Sequence, residues 1–168
     1  MAPQPKRVRD SQTVISHLMY LTDANPVGHV HGGVVMRMVD EVAGICAARH
    51  AGCPVVTMAI DSMSFHSPIY VGNLVTVKAS VNYVGHTSIE VGVRVEAEDI
   101  LTGQVTHANS AYLVYVALDE NSQPAEVPQL IAETPEEERH MRDGKARQEE
   151  RLRRRREDEA RHGQQCAV

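Results

Sequence analysis

Residues 33–49, GVVMRMVDEVAGICAAR, are apolar except for one short polar stripe, and that stripe holds a carboxylate, Asp40. A carboxylate among apolar neighbours is costly unless it is paired or hydrogen-bonded. Asp40 is therefore one of two things. It is a working group, able to take a proton from water or to attack an electrophile itself, or it is a structural charge answered by solvent or by Arg37 one turn back. Just ahead stand Gly32 and Gly33, where the N–H groups of a starting helix have no internal acceptor and no side chain blocks an approaching oxygen. The same pair also reads as a flexible, closely packed joint. Asn25 precedes Pro26 and either turns the chain or offers a carboxamide to a ligand. His29 and His31 lie two apart with no third ligand nearby, poor provision for a metal ion, and none is expected. Ser62, Ser64 and Ser110 lack the Gly-x-Ser-x-Gly setting of a hydrolase nucleophile. The three cysteines, Cys46, Cys53 and Cys166, are odd in number and sparse, which suits reduced thiols, with Cys46 in the core.

Positioning these groups calls for a helix over residues 33–49. At about 100° per residue, Arg37, Asp40, Glu41 and Gly44 share one stripe and the remainder is apolar. A helix apolar over so much of its circumference is buried on most sides, and a sheet wrapped around it is the natural cover. The strands are legible. Residues 73–84 alternate Val75, Val77, Ala79, Val81, Tyr83 against Thr76, Lys78, Ser80, Asn82, and residues 87–98 set Ile89, Val91, Val93, Val95, Ala97 against Glu90, Gly92, Arg94, Glu96. This period of two predicts an antiparallel sheet with one face packed and one in water. Gly85-His86 between them suits a two-residue turn with Gly first. Residues 13–21, 55–64 and 104–118 complete about five strands. The fold class is α+β, an antiparallel sheet around one long central helix, which is the hotdog architecture.

Beyond residue 130 the composition changes. From Glu133 to Arg161 there are ten acids and ten bases and almost nothing apolar, whereas the rest of the chain has twelve acids and seven bases. Thr134-Pro135 followed by three glutamates is a helix start with acids at the positive end of the dipole. Glu138 to Arg142, Glu149 to Arg153 and Glu150 to Arg154 are supporting i,i+4 pairs. Residues 1–12 thus read as a flexible arm, 13–130 as the folded domain, and 131–168 as a charged, partly helical tail that is solvated and partly frayed.

The segment N-P-V-G-H-V-H-G-G-V-V-M-R-M-V-D-E-V-A-G, from Asn25 to Gly44, resembles the signature of hotdog-fold acyl-CoA thioesterases of the cytosolic acyl-CoA hydrolase type. So do Asp61, Phe65 and Pro68 leading to Gly72, and Val127 to Leu130 before the charged tail. The resemblance covers residues 12–147. It implies hydrolysis of fatty acyl-CoA to fatty acid and CoA, with no cofactor besides the CoA of the substrate. It implies Asp40 as general base or nucleophile, Asn25 orienting water or substrate, and the amides at Gly32 and Gly33 as oxyanion hole. His31, Ser64, Phe65, the hairpin Gly85, His86, Thr87 and Ser88, and Arg147 or the 151–156 cluster would meet the substrate and the CoA phosphates. A single domain holding both Asn25 and Asp40 implies a homodimer as minimal unit and a hexamer, a trimer of dimers, as assembly. Asp40 lies seven residues past Gly33, about 10 Å along the helix, too far to serve a carbonyl held at that same helix start. Asp40 is therefore expected to work on a carbonyl held by the other protomer.

Other readings are narrower. A hydratase or dehydratase of the same fold needs a differently placed acid–base pair. A binding or regulatory module would keep the pocket and do without the base. The net charge of −5 and the acids flanking the arginines argue against nucleic acid. No stretch of 18 apolar residues and no apolar run after the basic N-terminal residues are present, so neither a membrane span nor a secretory signal is expected, and the cytoplasm is the expected compartment.

Overall fold

The computed structural model describes residues 3–165. In chain order the elements are β1 (Lys6–Arg7), β2 (Thr13–Leu18), α1 (Gly32–Ala51), β3 (Val55–Phe65), β4 (Asn73–Val84), β5 (Ser88–Asp99), β6 (Gln104–Ala117), β7 (Leu130–Ile131) and α2 (Pro135–Gln165). Strands β2, β4, β5, β6 and β3, in that spatial order, form one antiparallel sheet. It curves around α1, and the expected hotdog architecture is what the chain adopts.

Close packing decides how α1 sits. Val35, Met38, Val39, Val42, Ala43, Cys46 and Ala47 are buried against Val75, Val77, Val81, Val91, Val95 and Leu113 of the sheet. Ala43, Cys46 and Ala47 have no exposed surface, and side chains this small let the helix axis approach the strands. Burial pushes the Cys46 thiol up to about 12, so it is an inert core group; Cys166 lies outside the described residues. The helix ends at Gly52, in the left-handed conformation at φ 73°, with its N–H on the Ala48 carbonyl. His50, in the last turn, is fully buried and its Nε2 meets the Pro128 carbonyl at 2.9 Å.

Three sequence expectations need correction. First, the arm is not loose. Val8 and Ser11 are buried, and β1 pairs in parallel with β7 to tie the two ends of the domain together. Second, alternation in β4 slips at a bulge between Val81 and Tyr83, so Val84 turns into the core where Tyr83 was expected. The hairpin that follows has His86-Thr87 at its tip and Gly85 outside the positive-φ region. A Cβ on Gly85 would lie 2.7 Å from Ser88 Oγ, so what glycine relieves there is a side-chain contact and not a positive φ.

Third, the charged tail is a helix packed on the sheet as far as Arg151, with residues 152–159 exposed as expected. Thr134 Oγ1 accepts from Glu137 N–H at 3.2 Å, and Glu137 Oε2 accepts in return from Thr134 and Glu133 N–H, a capping box. α2 then crosses the outer face of the sheet, which was expected to face water. Gly144 is buried at the crossing, where a Cβ would come 2.7 Å from Tyr83 Cβ. Beneath it lies Glu90, expected outside and in fact 1% exposed. Its Oε1 takes Arg147 at 2.6 and 3.1 Å, and its Oε2 takes Arg151 at 3.0 Å. The Arg147 guanidinium also stacks on Tyr112, 4.0 Å from the ring centre, and Arg151 reaches on to Asp61 of β3. Apolar patterning could not reveal this, because the covering helix carries almost no apolar residues.

Two outcomes follow for stability. Arg147→Ala leaves a buried carboxylate short of a partner and is expected to cost about 3 kcal/mol in urea unfolding, much of it recovered in Glu90→Leu/Arg147→Met, because replacing both charges removes the desolvation cost. Burial holds the His50 imidazole below its ordinary 6.5, although the Pro128 carbonyl pulls the other way. The unfolded chain then binds the proton first. Stability should fall as pH drops below 6.5, by at most about 1.4 kcal/mol per pH unit from this group, and His50→Gln should flatten that slope.

Candidate functional site

Helix α1 starts in an unusual way. His31 is the residue before its first turn, and the imidazole Nδ1 accepts the Gly33 N–H at 2.9 Å. A ring accepting at Nδ1 carries its proton on Nε2, which is left to donate. A Cβ on Gly33 would meet that ring at 3.0 Å, so any larger residue there would crowd the imidazole cap. This divides the pair. The Gly33 amide is engaged within the chain, whereas no acceptor among the described residues takes the Gly32 N–H. Of the two amides expected to bind an oxyanion, only that of Gly32 is left without an acceptor among the described residues.

Asn25 belongs to the same end. Its Oδ1 accepts the N–H groups of Val27 and His29 at 3.0 and 3.1 Å, and its main chain exchanges bonds with His29 and Gly28. The loop is thereby folded around the carboxamide oxygen, and no bond within the described residues uses the Nδ2 donor. Of the two readings of Asn25, the turn former is the one these bonds show. Asn25, Gly32, Val35, Phe65, His66 and Pro68 line a cleft of about 310 Å³. The Phe65 ring lies over Gly32, 3.5 Å from where a Cβ would be.

Asp40 opens elsewhere. It lies in a second cleft of about 450 Å³ with Glu41, Gly44, Ile45, Pro54, Thr57 and Tyr115. Arg37 does not answer it and instead pairs with Glu41 at 3.3 Å. Asp40 Oδ1 accepts two hydroxyls, Thr57 Oγ1 at 2.9 Å and Tyr115 Oη at 3.0 Å. Among the described residues nothing donates to Oδ2. Burial, then the Asp40 charge, pushes the Tyr115 phenol above its ordinary 10, so it remains a proton donor to the carboxylate. One oxygen is thus held and the other is left free to act.

Thr57 and Tyr115 were not read from the sequence as site residues. Tyr115 carried a signal, since it falls on the core face of β6 with Leu113 and Ala117, where a phenol needs a partner. Thr57 faces it across the β3–β6 ladder.

The remaining expected residues are dispersed. Ser64 pairs with Ser110, and alternation puts it on the opposite face from Phe65, away from Gly32. Gly85, His86, Thr87 and Ser88 lie at the other end of the sheet from Phe65, beside the end of β6, and none of them lines the Asp40 cleft. Arg147 is engaged by Glu90 and Tyr112 and is not a free cation for phosphate. A groove of about 520 Å³ under the first turns of α2, lined by Lys78, Ser80, Arg94 and Arg139 among others, contains none of the expected residues. No group of three metal-binding side chains occurs among the described residues, and no helix among them is long and apolar enough to cross a membrane.

The comparisons agree with the fold. Residues 27–104 match the thioesterase superfamily. A cytosolic acyl coenzyme A thioester hydrolase of Rattus norvegicus is 37% identical over 147 residues, 86% of this chain and 39% of that protein. The chain thus spans well under half the length of this relative. A hexameric acyl-CoA thioesterase superposes with a TM-score of 0.87 at 38% identity, covering 90% of this chain and 97% of the other. An acyl-CoA hydrolase of Staphylococcus aureus, solved with butyryl-CoA and CoA, superposes at 0.86 with 33% identity, covering 94% and 96%. Structures of that hydrolase with an Asp, an Asn or a Thr replaced by alanine are also similar to this chain.

His31→Ala removes the cap of α1. It is expected to cost about 1 kcal/mol in chemical denaturation, whereas His31→Asn, which can also accept from a first-turn N–H, should retain most of that stability.

Proposed function

The chain belongs to the thioesterase superfamily, and from that premise we propose that it is an acyl-CoA thioesterase that hydrolyses fatty acyl-CoA to a carboxylic acid and CoA. The observation that carries this reading is the state of Asp40, a half-buried carboxylate with Oδ1 held by Thr57 and Tyr115 and Oδ2 open to a cleft. The Asp, Asn and Thr replaced in the Staphylococcus aureus hydrolase have the same spacings along its chain as Asn25, Asp40 and Thr57 have here.

The chemistry follows. The thioester carbonyl accepts the Gly32 N–H at the positive end of α1, which stabilises the oxyanion that forms on attack. Asp40 either takes a proton from the attacking water or attacks directly to give a mixed anhydride that water then opens. The tetrahedral centre collapses with cleavage of the C–S bond. The proton drawn from water goes to the departing thiolate, and acid and CoA leave. Asn25 Nδ2 is the donor that orients water or substrate. The reaction read this way uses no cofactor beyond the CoA of the substrate.

Gly32 and Asp40 of one chain open into separate clefts, so a second chain must complete each site. The edge of β3 is free, and Val56, Met58 and Ile60 on it, with Met36 and Ile45 of α1, expose apolar surface. Pairing two copies along β3 covers that surface and brings Asp40 of one toward Gly32 of the other. The hairpin Gly85–Ser88 then supplies backbone and hydroxyl groups to the CoA moiety from the Asp40 side. A homodimer is the minimal unit on this reading, and three dimers make a hexamer of the kind named for the similar structure. The cytosol is the compartment, as the rat relative's name states for that protein.

Thiol release from acyl-CoAs of two to sixteen carbons tests the activity. Wild type is expected to turn over, and Asp40→Asn to lose about 100-fold or more in kcat. Binding of acyl-CoA without any release would make the protein a sensor and Asp40 a structural charge. Mixing Asp40→Asn with Asn25→Ala chains should restore one working site per heterodimer; no recovery would exclude a shared site.

A further inference from the structure

Asn109 is a buried polar side chain left out of everything described so far. It lies on β6, is 0% exposed, and neither its Oδ1 nor its Nδ2 has a hydrogen-bond partner. Buried carboxamides are nearly always paired, because leaving both ends unpaired gives up their hydration with nothing in return. Only the His50 Nδ1 shares this condition among the described residues, and that ring is already anchored to Pro128 through its other nitrogen.

Its position is informative. From Asn109 to Ala117 the strand alternates regularly, and Asn109 shares the α1-facing side with Ala111, Leu113 and Tyr115. Directly opposite on β3 is Phe65, so the two side chains stand on the same face with Cβ atoms about 5 Å apart. The Phe65 ring extends over Gly32 and is itself half exposed, at 54%. One half-exposed aromatic side chain therefore neighbours two unsatisfied polar groups, the Gly32 N–H beneath its ring and the Asn109 carboxamide opposite it in the ladder. The cleft beside Phe65 is lined by Val30, Val35, Pro68 and Ile69 together with Asn25, His29, His66 and Ser67, and the fully buried Asn109 reaches it only past Phe65.

Resting on the proposed thioesterase activity, we infer that Asn109 is a specificity-determining residue of the acyl pocket, and that the pocket takes acyl groups with a hydroxyl or oxo substituent on the carbon two bonds from the thioester carbonyl. With the carbonyl on Gly32 and Phe65 swung aside, that carbon passes the carboxamide. A hydroxyl there can donate to Oδ1 and accept from Nδ2, and an oxo group can accept from Nδ2. An unsubstituted chain gives Asn109 nothing. The discrimination comes from pairing a group that the fold leaves unpaired, which is where a single hydrogen bond counts most.

The test compares kcat/KM for 3-hydroxybutyryl-CoA and butyryl-CoA, and for the corresponding eight-carbon pair, in wild type, Asn109→Leu and the smaller Asn109→Val. Wild type should favour the hydroxylated member by about tenfold, and the ratio should fall to about one in both variants. Asn109→Leu should also melt higher than wild type, since it removes an unpaired polar group at nearly constant volume; a lower Tm would show that the carboxamide has a structural partner and would overturn the assignment. A ratio unchanged between active wild type and active variants would overturn it too. Were no thioester turned over, the thioesterase reading would fall alone. Calorimetric binding of the same two CoA esters would then decide: a hydroxyl preference lost in the variants supports Asn109, and equal binding rejects it.

Discussion

The structure depends on the burial of a nearly all-apolar helix against a curved sheet. α1 could not stand in water, and its small residues at 43, 46 and 47 bring it within close contact of a sheet whose strands β4 and β5 present mostly Val inward. Because the helix is held along its length, its two functional points are held as well. The N-terminal amides and Asp40 cannot shift relative to each other without breaking the core. A rigid helix also fixes their separation at about two turns.

The outer side of the sheet is stabilised by a different interaction. α2 has little apolar surface to bury, so it is docked by charge and by shape: Gly144 lets it lie close, and Arg147 and Arg151 bracket the buried Glu90. Such a contact adds little net stability but is costly to break on one side. It favours a single placement of the helix over many similar ones. Through Asp61 the same network reaches β3, the strand that carries Thr57 and Phe65.

Much of this was legible from the residues. The long helix, five strands and the antiparallel pattern follow from periodicity, since a period of two with valines on one side has few other solutions. Asn25, Gly32 and Asp40 stood out by chemistry. What was hidden depended on contacts between distant segments. His31 capping Gly33 is local but does not follow the usual capping residues. Tyr115 and Thr57 meet Asp40 only because β6 and β3 are neighbours under α1. Glu90 looked solvated because alternation describes one sheet and knows nothing of a helix laid over it. The bulge at residue 82 moved Tyr83 and Val84 by one position, a change that no hydrophobic pattern anticipates.

The irregular ladder of β3 has a consequence for assembly. An open strand edge that is long and partly apolar invites indefinite growth, sheet upon sheet. Here the pairing with β6 slips twice, between Thr57 and Ala59 and between Ile60 and Ser62, so the strand is locally kinked and more twisted than a regular edge. The irregularity of β3 therefore makes this edge a poor template for the indefinite growth of a fibre.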